Sequence, residues 1–166
     1  MVIIVLGVSG AGKSRFGCAL AADLGWRFAD GDDFHAPEAV AKMRSAQPLD
    51  DADRAPWLVR MRLGIEGWLA RGENVVLACS ALKENYRRLL RGSDEPVEFV
   101  YLKISPELAT ERVRGRAVSG GHFMPPELLK SQFETLEEPE QAVVTDMDRL
   151  ETISRQIAQV RCALDL

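Results

Sequence analysis

The feature that most constrains this chain is its opening. Five apolar residues, Val2-Ile3-Ile4-Val5-Leu6, run directly into Gly7-Val8-Ser9-Gly10-Ala11-Gly12-Lys13-Ser14, and a helical pattern follows. The octet matches G-x-x-x-x-G-K-[ST] and stands between a strand pattern and a helix pattern, the context in which that spacing builds a phosphate cradle. Its glycines let the loop curl so that successive backbone N–H groups face inward. The helix that begins near Lys13 turns the positive end of its dipole toward the same point. Lys13 brings a mobile charge to the β- and γ-phosphates of a nucleotide, and the Ser14 hydroxyl is the expected ligand to Mg²⁺. Gly7, Val8, Ser9, Gly10, Ala11, Gly12, Lys13 and Ser14 are therefore the expected binding residues for ATP with Mg²⁺.

Beyond the loop, apolar and largely β-branched runs recur at Val75–Cys79, Glu98–Leu102 and Ala142–Thr145, with a weaker one at Trp26–Ala29; the first run is taken as Val2–Val8. Helical patterns separate them at Lys13–Leu24, Glu38–Ser45, Ala55–Ala70, Lys83–Leu90, Pro106–Arg116, Pro125–Leu136 and Leu150–Ala163. Short strands alternating with helices predict an α/β fold with a five-stranded parallel sheet and helices on both faces. A length of 166 residues predicts a single domain over 1–166. The net charge of −4 argues against a nucleic-acid partner. No stretch approaches the roughly 18 apolar residues of a membrane span. Three cysteines without a CxxC pair indicate neither a disulfide framework nor a zinc site, which fits a reducing, cytoplasmic setting. The small net charge hides a partition: residues 30–54 carry seven acidic and three basic groups, whereas 83–91 carry four basic and one acidic.

Absences narrow the chemistry. A GTPase needs N-K-x-D to read its base, and neither Asn74 nor Asn85 begins one; D-x-x-G does not occur either. The strand at Val75–Cys79 ends in Cys79-Ser80 rather than in the usual acidic metal-supporting residue. Metal support must come from elsewhere, and Asp30-Gly31-Asp32-Asp33-Phe34-His35 supplies carboxylates where the second strand ends. In an open parallel sheet that end is where ligands bind. Asp32 is placed to orient or deprotonate an acceptor hydroxyl, and Asp30 to support the metal through water. An acidic turn capping the next helix is the plainer reading of the cluster, above all for Asp33. His35 is either a structural hydrogen-bonding group or a holder of a polyol hydroxyl. Lys83 and Arg87, four apart on one helix face, suit an organic carboxylate or else a surface pair with Glu84 or Asp51. Arg112 and Arg116 precede the Gly-rich stretch Val118-Ser119-Gly120-Gly121 and could close over a moving phosphoryl group, although arginine is also simply favourable near a helix C-terminus. Arg114 lies on another face, and Asp146 is read as a turn or capping residue.

With these residues in place the chain resembles the small bacterial-type gluconate kinases within the P-loop sugar and nucleotide kinases. The resemblance runs over nearly the whole length. It is carried by Gly7–Ser14, Asp30-Gly31-Asp32 with His35, Lys42-Met43, Pro48-Leu49 with Asp51, Asp53-Arg54, Pro56-Trp57-Leu58, Cys79–Lys83 with Tyr86-Arg87, Gly121-His122-Phe123, Ser131-Gln132-Phe133, and Leu136-Glu137 before Pro139. Shikimate kinases, similar in the loop and the Asp-x-Asp, are not expected to show the Cys-Ser-Ala-Leu-Lys or His-Phe elements. Arg15, Ala39 and Ala46 depart from the family's usual residues, and Ala117–Gly120 looks like an insertion.

The resemblance implies transfer of the ATP γ-phosphoryl group to the 6-hydroxyl of D-gluconate, with Mg²⁺. It implies a three-layer fold of strand order 2-3-1-4-5, a helical lid over about 112–136, and a homodimer. Lys13, Asp32, Arg116 and Arg112 are then the catalytic residues, and Asp32, His35, Arg54, Lys83, Arg87 and His122 bind the sugar acid. The alternatives are a kinase for another small hydroxy acid such as shikimate, a nucleoside monophosphate kinase, or a non-catalytic nucleotide-binding regulator.

Overall fold

A computed structural model describes residues 1–45, 47–93, 95–118 and 126–166. Its elements run β1 (Val2–Leu6), α1 (Lys13–Leu24), β2 (Arg27–Asp30), a 3₁₀ turn (Gly31–Phe34), α2 (Pro37–Arg44), α3 (Asp51–Ala70), β3 (Val75–Ala78), α4 (Glu84–Arg91), β4 (Val97–Lys103), α5 (Pro106–Val118), α6 (Pro126–Thr135), β5 (Val143–Asp146) and α7 (Ile153–Ala163). The five strands form one parallel sheet in the order β2-β3-β1-β4-β5, as expected.

Strand β1 sits at the centre, and all five of its residues are fully buried. Alternation splits its side chains between two cores. Val2, Ile4 and Leu6 pack with Trp57, Met61, Ile65 and Trp68 of α3 and with Phe99 and Tyr101 of β4. Ile3 and Val5 face Phe16 and Leu20 of α1 and Ile157 and Val160 of α7. A sheet covered on both faces is the reason its strands read as continuous apolar runs.

Element ends differ from the sequence expectation where local hydrogen bonding intervenes. Strand β1 stops at Leu6 instead of Val8 because Gly7 turns the chain into the loop with φ +145°. Helix α3 begins at Asp51, four residues before the expected Ala55. A capping box starts it: Asp50 Oδ1 accepts the Asp53 N–H at 2.8 Å, and Asp53 Oδ2 accepts the Asp50 N–H at 2.9 Å. Helix α7 begins at Ile153, with Thr152 Oγ1 accepting the Arg155 N–H. The register aligns Val5 and Asp30 with Ala78, so Gly7, the Asp30 turn and Cys79 emerge together at the C-terminal edge of the sheet.

Candidate active site

The loop after β1 is held in shape by its glycines and its neighbours. Gly12 caps α1 in the left-handed region, with φ +92°. Gly10, at φ +90°, lies against α5 so closely that a Cβ there would stand 2.7 Å from the Ala109 carbonyl oxygen. The first turn of α1 carries no acidic residue and no side-chain cap, which leaves its amides and its dipole for an external anion. Lys13 Nζ donates to the Val8 carbonyl at 3.1 Å. The Ser9 N–H donates to Gln132 Oε1, on α6, at 2.7 Å.

Ser14 Oγ donates to Asp30 Oδ2 at 2.8 Å, and Asp30 Oδ1 accepts the Asp32 N–H at 3.1 Å. One carboxylate thus ties the phosphate loop to the turn that bears Asp32. A hydroxyl and a carboxylate side by side are hard oxygen donors suited to Mg²⁺. No cluster of three or more His, Cys, Asp or Glu able to hold a metal occurs among the described residues.

The Gly31–Phe34 turn is clamped from α3. Trp57 Nε1 donates to the Gly31 carbonyl at 2.7 Å, and Arg60 Nε donates to the Phe34 carbonyl at 2.6 Å. The Asp32 side chain is left exposed. His35 stacks face to face on Trp57, with ring centroids 4.6 Å apart and planes 3° from parallel. Its Nδ1 is buried and has no hydrogen-bond partner among the described residues. Burial pulls the imidazole pKa below its ordinary value; Asp32 opposes that shift, while Arg60 and Arg54 reinforce it. His35 is thereby kept neutral, with one ring nitrogen able to exchange a hydrogen bond with a hydroxyl.

Cations and one carboxylate meet at the starts of α3 and α4. Lys83 Nζ contacts both Asp51 oxygens, at 2.9 and 2.8 Å, and the Tyr86 hydroxyl donates to Asp51 Oδ1. An Arg54 guanidinium nitrogen lies 3.8 Å from Asp51 and 3.5 Å from the Tyr86 oxygen. Hydrogen bonds from Lys83 and Tyr86 hold the Asp51 carboxyl below the usual carboxylate range. Arg54 and Lys83 are brought together as expected, and Lys83 takes the Asp51 pairing that was one of its two sequence readings. Arg87 takes the Glu84 pairing that its sequence reading offered beside an organic carboxylate, but in the interior rather than at the surface. It is 3% exposed, and its guanidinium donates to the Ala81 and Leu82 carbonyls, each at 3.0 Å, and to Glu84. The shared helix face expected from the spacing does not form, because Lys83 is the extended N-cap of α4 while Arg87 lies within the helix and reaches back to the carbonyls before it.

Arg112 differs as well: its guanidinium donates to the Met147 carbonyl beyond β5 at 3.3 Å, whereas the sequence suggested a phosphoryl group. The side chain of Arg116, and all of His122, lie outside the described residues. Asp146 is the last residue of β5, and its carboxylate accepts the Asp148 N–H of the turn that follows at 3.1 Å. Trp57 and Gln132 drew notice in the sequence only as parts of family-like segments; no spacing rule marks a tryptophan that holds a turn or a glutamine that bonds a loop from 123 residues away.

A parallel sheet in 2-3-1-4-5 order, a phosphate loop at its central strand and a carboxylate turn beside it define a small-molecule kinase of the P-loop class. Residues 2–139 match the AAA domain family. A gluconokinase from Gluconobacter oxydans (strain 621H) is 47% identical over 137 residues, covering 82% of this chain and 75% of that protein. The thermosensitive gluconokinase of Escherichia coli (strain K12) is 43% identical over 157 residues, covering 95% and 81%. The crystal structure of a gluconokinase from Sinorhizobium meliloti 1021 superposes with a TM-score of 0.83 at 40% identity, covering 99% of this chain and 91% of that one. The chain belongs to the gluconokinase family.

Proposed function

We propose that this protein transfers the γ-phosphoryl group of ATP to the 6-hydroxyl of D-gluconate, giving 6-phospho-D-gluconate and ADP. The observation that carries the reading is the Ser14–Asp30–Asp32 chain of hydrogen bonds, which sets an exposed carboxylate beside the phosphate loop. Gly7–Ser14 hold the phosphates, and Lys13 neutralises charge on the moving group. Ser14 would hold Mg²⁺ directly and Asp30 through water, and the ion would supply charge neutralisation at the phosphates. Asp32 accepts or orients the proton of the attacking hydroxyl. Neutral His35, fixed on Trp57, holds a hydroxyl of the polyol.

Arg54 and Lys83 together carry one positive charge more than Asp51 removes. That surplus matches a single carboxylate, the charge that separates an aldonate from a neutral sugar. Arg87 supports this site from beneath by fixing the Ala81-Leu82 turn. Arg116 and His122 are proposed partners of the phosphoryl group and the acceptor, and residues 112–136, which take in the end of α5 and all of α6, are proposed to form a lid. Two further readings have support of their own. Val59 and Leu63, 50% and 61% exposed one turn apart on α3, supply an apolar face for a homodimer. Cysteines 18, 79 and 162 are all free, as suits a reducing cytoplasm.

Steady-state kinetics of two variants test the roles. Lys13→Ala should lower kcat by about 10²–10³-fold or more, as loss of a charge-stabilising donor does. Asp32→Asn should lower kcat by about 10²–10⁴-fold while leaving the KM for ATP near its original value. Near-normal turnover in either variant removes that residue from the mechanism.

A further inference from the structure

Gln132 stands on α6, outside every group assigned above to substrate chemistry, yet its Oε1 accepts the Ser9 N–H at 2.7 Å. Ser9 lies within the loop whose amides are there to receive phosphate oxygens. A backbone N–H offers one proton and serves one strong acceptor at such a distance. A carboxamide oxygen and a phosphate oxygen are therefore rivals for the Ser9 amide. The loop lysine is also turned onto the loop itself, through the Val8 carbonyl.

Helix α6 is anchored independently of this bond. Leu129 is 3% exposed, in one core with Ile104, Ala109 and Val113. Just past the helix, the Glu137 N–H donates to the Leu82 carbonyl at 2.9 Å, and Glu137 Oε2 accepts the Glu84 N–H at 2.6 Å. Held by these contacts, α6 presents Gln132 to the loop, and a turn of that one side chain releases the Ser9 amide.

We propose that Gln132 is a built-in stand-in for a phosphate oxygen: its carboxamide competes with the triphosphate for the Ser9 amide, and nucleotide binding displaces it. The bond keeps the loop in its binding shape and costs some affinity for ATP. The inference rests on the reading of Gly7–Ser14 as the ATP site.

The test is calorimetric titration of the full chain with Mg²⁺ and a non-hydrolysable ATP analogue, with adenosine as a phosphate-free control. Gln132→Ala should tighten the analogue about three- to tenfold, the net worth of one neutral hydrogen bond, and leave adenosine unchanged. Gln132→Glu keeps the acceptor and adds a negative charge beside the incoming phosphates, so it should weaken the analogue by about tenfold or more. Unchanged or weaker analogue binding by Gln132→Ala overturns the proposal, because a nucleotide contact, a bystander or a loop that merely loosens gives that sign. A wild-type chain that binds no analogue removes the ATP reading itself, a failure distinct from that of the variant.

Discussion

Gly10 offers a sharp test of how the phosphate loop is held, because a second glycine in the same loop serves as its control. Both Gly10 and Gly12 adopt positive φ, +90° and +92°. An alanine at either position bears the left-handed penalty of about 1–2 kcal/mol. The surroundings differ. A Cβ at Gly12 meets nothing within 4 Å, whereas one at Gly10 would stand 2.7 Å from the Ala109 oxygen and 2.9 Å from its Cα. Both are backbone atoms of α5, which cannot turn aside as the tip of a long side chain can. Overpacking of this kind adds about 1–3 kcal/mol. For a chain of this size, about 2–4 °C of Tm is lost per kcal/mol. Gly10→Ala should therefore melt roughly 2–12 °C below Gly12→Ala in thermal denaturation followed by circular dichroism. Equal melting temperatures for the two variants would refute the close approach of loop and helix.

Arg87→Lys should lose about 1–3 kcal/mol of stability in urea titration, since a compact ammonium lacks the planar fork that spans both carbonyls and Glu84; a neutral result would return Arg87 to the surface. Because the folded-state pKa of His35 lies below the ordinary 6.5, the unfolded chain binds a proton there that the folded chain resists. Stability should thus be fully present above that value and fall as pH drops below it. His35→Gln should flatten that slope in denaturation midpoints measured between about pH 5 and 8, and an unchanged slope would show that His35 titrates normally.

What was legible in the sequence follows from what is local. The inner strands β1, β3 and β4 are legible because burial on both sheet faces writes itself into the sequence as apolar runs, whereas the edge strands β2 and β5 are only partly buried and show weaker ones. The loop was read because its chemistry is contiguous, eight residues all within one turn. The start of α3 was missed for a local reason too: Asp50 and Asp53 cap each other with carboxylates alone, a weaker signal than a Ser or Thr with Glu. The site's other half joins residues far apart. Trp57 clamping Gly31, Asp51 gathering Lys83 and Tyr86, and Glu137 bonded to Glu84 depend on how α3, α4 and the end of α6 converge. Arg87 shows the limit most clearly. Helical spacing paired it with Lys83, but Lys83 caps α4 in an extended conformation, and the Ala81 and Leu82 carbonyls that hold the buried guanidinium come from the segment before the helix.

The central claim is that a single chain couples the phosphate loop to a monocarboxylate polyol. A coupled ADP-release assay with Mg²⁺-ATP and a panel of aldonates, shikimate and nucleoside monophosphates tests it most directly. ADP release should depend on D-gluconate and be far slower with every other acceptor. Release that prefers shikimate or a nucleoside monophosphate, or that proceeds at the same rate with no acceptor, would contradict it.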